Sequence, residues 1–207
     1  MHLRLRSTAH VSLFRIIPAF PLLVLAEHGR ARIRTHGFER VLLPGHRTAL
    51  PPFQSLELHL DGSARFPTTC SLVVSTRAHS HSSLRGLIAQ QAFVEPKLST
   101  IQRFANTLMM SPSEIRRTLF SEGAAMTELC RTQRLMRALF EVAKGSVTNS
   151  ELKRTIGWGV QSDLESAFHD WFGICLSSAR CLAAVAALDQ FDRLHSASAS
   201  GMQPPFT

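Results

Sequence analysis

The sequence predicts a mixed, two-part fold. A small β-rich domain over residues 1–81 is followed by an all-α domain over 82–195 and a disordered tail over 196–207. Three observations carry this expectation. Up to about Val74 the apolar residues come in short runs broken by turn residues, and from Ser82 onward they recur at i, i+3 and i+4. Between them, Arg77-Ala78-His79-Ser80-His81-Ser82-Ser83 has the composition of a connector. Finally, 44% hydrophobic residues, with 13 Phe among 207, are enough to fill a core.

Strand signals begin at Pro21. The runs LLVLA, ARIRTHGFERVLL and SLELHLDG are separated by turns at His36-Gly37, Pro44-Gly45 and Asp61-Gly62, and Ala31-Arg32-Ile33-Arg34 alternates apolar with charged. Ahead of them, Arg4 and Arg6 precede the apolar run Phe14 to Ala26, which has the outline of a secretory leader. Arg15, Pro18 and Pro21 interrupt the continuous apolar helix such a leader needs, and no other stretch approaches the roughly 20 apolar residues of a membrane span. The expectation is therefore a cytoplasmic protein with no membrane partner. An exported basic protein is the alternative this run leaves open.

In the second part, Leu84, Leu87 and Ile88 open one helix, closed near Pro96. Ser99 caps a second, with Ile101, Phe104, Ala105 and Leu108 inward. Ser111-Pro112 is a cap followed by proline at the first helical position, starting a third helix with Ile115, Leu119 and Phe120 inward. A helix, a tight turn at Met109-Met110 and a new helix make helix-turn-helix spacing. A longer linking helix runs from about Met126 to Lys144, stopped at Gly145, with Leu129, Leu135, Met136, Leu139 and Val142 buried. The arrangement then recurs as a helix over Glu151 to Ile156, a turn at Gly157-Trp158-Gly159, and a helix over Gln161 to Phe172 with Leu164, Ala167, Phe168 and Trp171 inside. A last helix spans Ser177 to Leu194, and the Ser-, Ala- and Pro-rich tail from Ser196 has too little apolar surface to order.

The formal charge of +8 favours an anionic partner. Residues 1–93 carry 11 arginines against four acids, whereas 94–180 carry 11 basic and nine acidic residues, so the excess lies in the β-rich part. Cys70, Cys130, Cys175 and Cys181 form no CxxC pair, and His79 with His81 lack a nearby carboxylate or thiol, so no metal site and no disulfide framework is expected. Nucleophile elbow, phosphate loop and HExxH are all missing from the sequence. We expect no enzyme, no catalytic residues and no cofactor.

Several of these residues stand in a recognisable order. Ala105, Ser111-Pro112, the run IRRTL with Ile115, Arg117 and Leu119, and Gly123 come first; Arg134 follows, four before Ala138. Gly157-Trp158, Ser162, Leu164, Phe168, Phe172, Gly173 and Arg180 complete the set. This series resembles the double helix-turn-helix region of AraC/XylS-type transcriptional regulators, over roughly Ser82 to Arg180. The stretch LLVLAEHGRARIRTHGFERVLLPG is similar in outline to the cupin-like arm of such proteins. The sequence departs from the family pattern at Lys153, Ser166 and Leu176, and Asp163 and Glu165 put negative charge where phosphates are expected.

The resemblance implies a bacterial, sequence-specific regulator, an activator in many of its members, with double-stranded DNA as partner. RNA polymerase, a small-molecule or protein effector at the N-terminal domain, and a second copy in a homodimer are further candidate partners. The first recognition helix, 112–120, would lie in the major groove, with Ser111 at its cap and Ser113, Arg116 and Arg117 toward the DNA. Arg116 is the candidate for a bidentate contact to guanine. Without the surrounding pattern, two adjacent arginines would read as a solvated helix face. In the second unit Gln161, Ser162 and Asp163 are the candidates for base contact. A rival reading, favoured by Asp163 and Glu165, is a regulator-derived protein-interaction domain whose second unit has lost DNA binding.

Overall fold

The computed structural model describes residues 1–76, 83–142 and 147–184. Residues 77–82 of the predicted connector over 77–83, the end of the linking helix at Lys144-Gly145, the later part of the last helix and the tail from Ser196 lie outside the described residues.

Eight antiparallel strands form two four-stranded sheets. They are β1 (His2–Ser7), β2 (His10–Ile16), β3 (Leu22–His28), β4 (Ala31–Thr35), β5 (Phe38–Leu42), β6 (Arg47–Leu50), β7 (Leu56–Asp61) and β8 (Thr68–Val74). One sheet has the order β1-β8-β3-β6, the other β2-β7-β4-β5. Period-2 alternation explains the register: Leu3 and Leu5, Leu22 and Val24, Ile33, Leu56, Leu58 and Leu60 all turn inward and are buried. Gly37 has positive φ in the two-residue hairpin turn between β4 and β5, and Gly45 has positive φ in the connection that carries the chain from β5 to β6 in the other sheet.

The leader-like run is thus divided between the two sheets. Arg4 and Arg6 lie on β1, and Phe14 to Ala26 covers the end of β2, a loop and most of β3. β1 and β2 escaped the sequence reading because Pro18 and Pro21, which break the apolar run, belong to the loop between two strands. No helix among the described residues is long and apolar enough to cross a membrane.

The helical part comprises α1 (Leu84–Val94), α2 (Ile101–Leu108), α3 (Pro112–Ser121), α4 (Met126–Glu141), α5 (Asn149–Ile156), α6 (Leu164–Phe172) and α7, helical from 176 to 184 among the described residues. Ser83 caps α1, its hydroxyl accepting from the Gly86 N–H. Two sequence expectations shift here. Leu87 is exposed, and the buried face of α1 is Ile88, Ala89, Ala92 and Phe93. Thr100, not Ser99, caps α2; the Ser99 hydroxyl donates back to Glu95 O at 3.1 Å. α4 buries Leu129, Leu135, Met136, Leu139 and Val142, as its periodicity requires.

One hydrophobic core runs through both parts. Phe20, from the β2–β3 loop, stacks edge-on to Phe93 of α1 with ring centroids 5.8 Å apart, and Phe93 does the same to Phe140 of α4 at 6.0 Å. Gln133 Nε2 donates to Ile17 O at 3.1 Å, and the Ile17 N–H to Met136 Sδ at 3.3 Å, tying α4 to the segment after β2.

Candidate functional site

α3 is built to stand proud of the surface. Ser111 Oγ accepts from the Glu114 N–H at 3.2 Å while Glu114 Oε2 accepts from the Ser111 N–H at 2.7 Å, a reciprocal capping box with Pro112 at the first turn. The hydrogen bonds from Ser111 hold the Glu114 carboxyl below its ordinary value. Ile115 and Leu119 anchor the inner face and are fully buried. Ser113, Arg116 and Arg117 are exposed. Their spacing of three and four residues puts them on one side of the helix.

Phe120 corrects the sequence reading. It is 84% exposed and follows Arg116 by four residues on the outward face. A signal was available: five residues after Ile115, Phe120 falls off the stripe that Leu119 continues. The end of α3 is secured from below, since the Glu122 carboxylate accepts the N–H of Leu84 at 3.0 Å and of Arg85 at 2.6 Å, at the start of α1.

The second helix pair differs in its turn. Thr148 and Glu151 form another capping box at α5, and Gly157 ends that helix in the left-handed region. Seven residues, 157–163, then precede α6, against three, 109–111, between α2 and α3. Gln161, Ser162 and Asp163 are exposed in this turn; the predicted helix start at Gln161 moves to Leu164. Asp163 is the N-cap, its Oδ1 accepting from the Ser166 N–H at 3.2 Å. Glu165 Oε1 accepts from the Leu176 N–H at 2.9 Å. Both acids therefore serve helix termini, where negative charge is favourable. Arg180 Nη2 donates to Asn149 Oδ1 at 2.6 Å, so this arginine fastens α7 to α5.

Other arginines also have structural partners. Arg134 donates to Pro96 O and Ser99 O, and Arg137 donates to Phe93 O and pairs with Glu141 at 2.7 Å. These two clamp the α1–α2 connection onto α4, whereas Arg116 and Arg117 project outward.

α6 touches the β-rich part directly. A bulge in β2 between Leu13 and Ile16 places Arg15 at φ 49, left-handed for a non-glycine residue. The turned-out Arg15 O accepts from Trp171 Nε1 at 3.0 Å, and its guanidinium lies 5.6 Å from the Trp171 ring centroid. Trp171, expected inside the helical part, is instead a partly exposed contact at this seam. No group of three His, Cys, Asp or Glu side chains able to hold a metal occurs among the described residues.

The fold is similar to that of ToxT from Vibrio cholerae. One ToxT structure matches with a TM-score of 0.61 at 9% identity, covering 88% of this chain and 98% of that one. An apo variant matches with 0.62 at 10% identity, covering 88% and 97%. A third ToxT structure, with unsaturated fatty acid bound, matches with 0.57 at 10% identity, covering 88% and 95%. The likeness is one of architecture, a β-rich part of two antiparallel sheets followed by a helical part. No family model and no curated protein matches the sequence.

Proposed function

We propose that this chain is a sequence-specific DNA-binding transcriptional regulator of the AraC/XylS type, the type that its residues over roughly Ser82 to Arg180 resemble. The observation that carries the reading is the outward face of α3, where Ser113, Arg116 and Arg117 stand free of the core while Ile115 and Leu119 fix the helix beneath them. α2–α3 and α5–α6 are then two helix-turn-helix units joined by α4, and α3 enters the major groove. Arg116 reads guanine O6 and N7, Arg117 meets phosphate, and Phe120 lies over the groove where a thymine methyl or sugar offers an apolar surface. Gln161 and Ser162 present the polar contacts of the second unit from its turn. The β-rich domain, 1–81, senses an effector or mediates dimerisation.

Selection of bound fragments from genomic DNA, followed by anisotropy titration between 50 and 200 mM salt, provides the test at roughly the range over which counterion release is read. Arg116→Ala lowers discrimination between the selected site and its guanine-substituted variant by about 1–3 kcal/mol, roughly 5- to 150-fold. Arg117→Ala weakens binding to all fragments alike and lowers the salt slope by about one. If salt-sensitive, sequence-dependent binding does not occur at all, the reading fails.

A second reading, a regulator-derived interaction domain, draws on the docking of α6 against β2 through Trp171 and Arg15. Under it, Gln161→Ala and Ser162→Ala leave every DNA affinity unchanged.

A further inference from the structure

A cavity of about 170 Å³ opens where the two parts meet. Ile17 and Phe53 of the β-rich part form one wall; Arg85 of α1, the loop Gly123 to Ala125 after α3, and Glu128, Leu129, Thr132 and Gln133 of α4 form the rest. Gln133 is fully buried. Its Nε2 is committed to Ile17 O, which fixes the amide, and its Oε1 has no hydrogen-bond partner among the described residues. Arg85 Nε is likewise buried without a partner, and the guanidinium carbon lies 4.9 Å from the Phe53 ring centroid. Buried polar atoms left unpaired forfeit their hydration without recompense, so this pair calls for a complementary occupant.

We propose that the cavity is a binding site for a small amino-carboxylate. Its carboxylate lies on the Arg85 guanidinium, its ammonium donates to Gln133 Oε1 with the Glu128 carboxylate at the rim, and its short methylene chain rests on Phe53 and Leu129. The volume equals about five or six water molecules at about 30 Å³ each, room for roughly seven to nine non-hydrogen atoms. A long acyl chain exceeds this volume, and its tail would leave Thr132 and Gln133 desolvated without partners. The occupant touches both parts of the chain and the loop that follows α3. Its consequence for DNA affinity rests on the regulator reading; its binding does not.

Isothermal titration calorimetry of the full chain, without DNA, decides the matter, with glycine, 3-aminopropanoate, 4-aminobutyrate and 5-aminopentanoate as probes. At least one binds with Kd near or below about 1 mM, and butyrate and butylamine each bind at least roughly tenfold more weakly than 4-aminobutyrate. Gln133→Met and Arg85→Met each weaken binding roughly tenfold or more, with far-UV circular dichroism reporting the fold. Arg85 is partly exposed, so its variant decides if Gln133→Met does not fold. The proposal is overturned if no probe binds up to about 10 mM, if butyrate binds as well as the amino acids, or if Arg85→Met binds as the parent chain does. Since no DNA is present, failure of DNA binding leaves this result standing.

Discussion

Replacing Glu122 by alanine tests how the end of α3 is held. Its carboxylate receives the N–H of Leu84 at 3.0 Å and of Arg85 at 2.6 Å, two of the four N–H groups that the start of α1 cannot satisfy within its own helix. Ser83 satisfies a third, that of Gly86. Hydrogen bonds to a charged group contribute about 1.5–3 kcal/mol each when buried. Glu122 is half-buried, which puts the two together at about 2–3 kcal/mol, including the favourable interaction of a carboxylate with a helix N-terminus. Glu122→Gln keeps an acceptor but loses the charge, and should cost about 1 kcal/mol. Urea unfolding followed by circular dichroism would show both midpoints falling, alanine more than glutamine, at unchanged slope. Equal stability of Glu122→Ala and the parent chain would refute the account, because the two N–H groups would then be served as well by water.

Three further outcomes follow from single residues. Met109 ends α2 at φ 52 and is 95% exposed, so Met109→Gly removes left-handed strain without losing packing; we expect about 0.5–1 kcal/mol of added stability and a Tm higher by about 1–4 °C. Gly173 has φ +76, and a Cβ there would come within 2.5 Å of the Phe14 ring; Gly173→Ala should cost about 2 kcal/mol and speed hydrogen exchange in α6 as its contact with β2 loosens. The Cys175 thiol, hydrogen-bonded by Ser177 and Ser178, is lowered to about 7, while burial pushes Cys70 up to about 12 and Cys130 to about 11. Thiolate at Cys175 therefore grows in as pH rises through 7, and peptide mapping after iodoacetamide should show it alkylated at neutral pH with Cys70 and Cys130 untouched.

Helix ends and strand alternation were legible from the sequence because each is written in local chemistry. Ser111-Pro112 announces the start of α3, Gly157 the end of α5, and Leu56, Leu58 and Leu60 the inward face of β7. What escaped was set by distant partners. Asp163 and Glu165 read as charges opposed to phosphate, yet they cap the termini of α6 and α7, and the Leu176 amide that Glu165 reaches is 11 residues away. Arg134 was legible only as one member of the ordered series and Arg137 not at all; both are clamps for carbonyls 35 to 44 residues distant in sequence. The role of Trp171 required knowing that β2 bulges at Arg15, 156 residues earlier. Outward arginines on α3 could be anticipated from helical periodicity alone; the cavity beneath Gln133 could not, because its walls come from segments separated by over 100 residues.

The aromatic series Phe20, Phe93 and Phe140 makes the chain a poor candidate for dissection. Each ring supports the next, and the first belongs to a loop of the β-rich part while the others belong to α1 and α4. Severing the chain anywhere over 77–82 would leave the helical fragment with a greasy socket open to water and the β-rich fragment with a bare phenyl ring. Neither product is a self-sufficient module, and fragments expressed separately would report on sticky, half-finished surfaces instead of on the behaviour of the intact molecule.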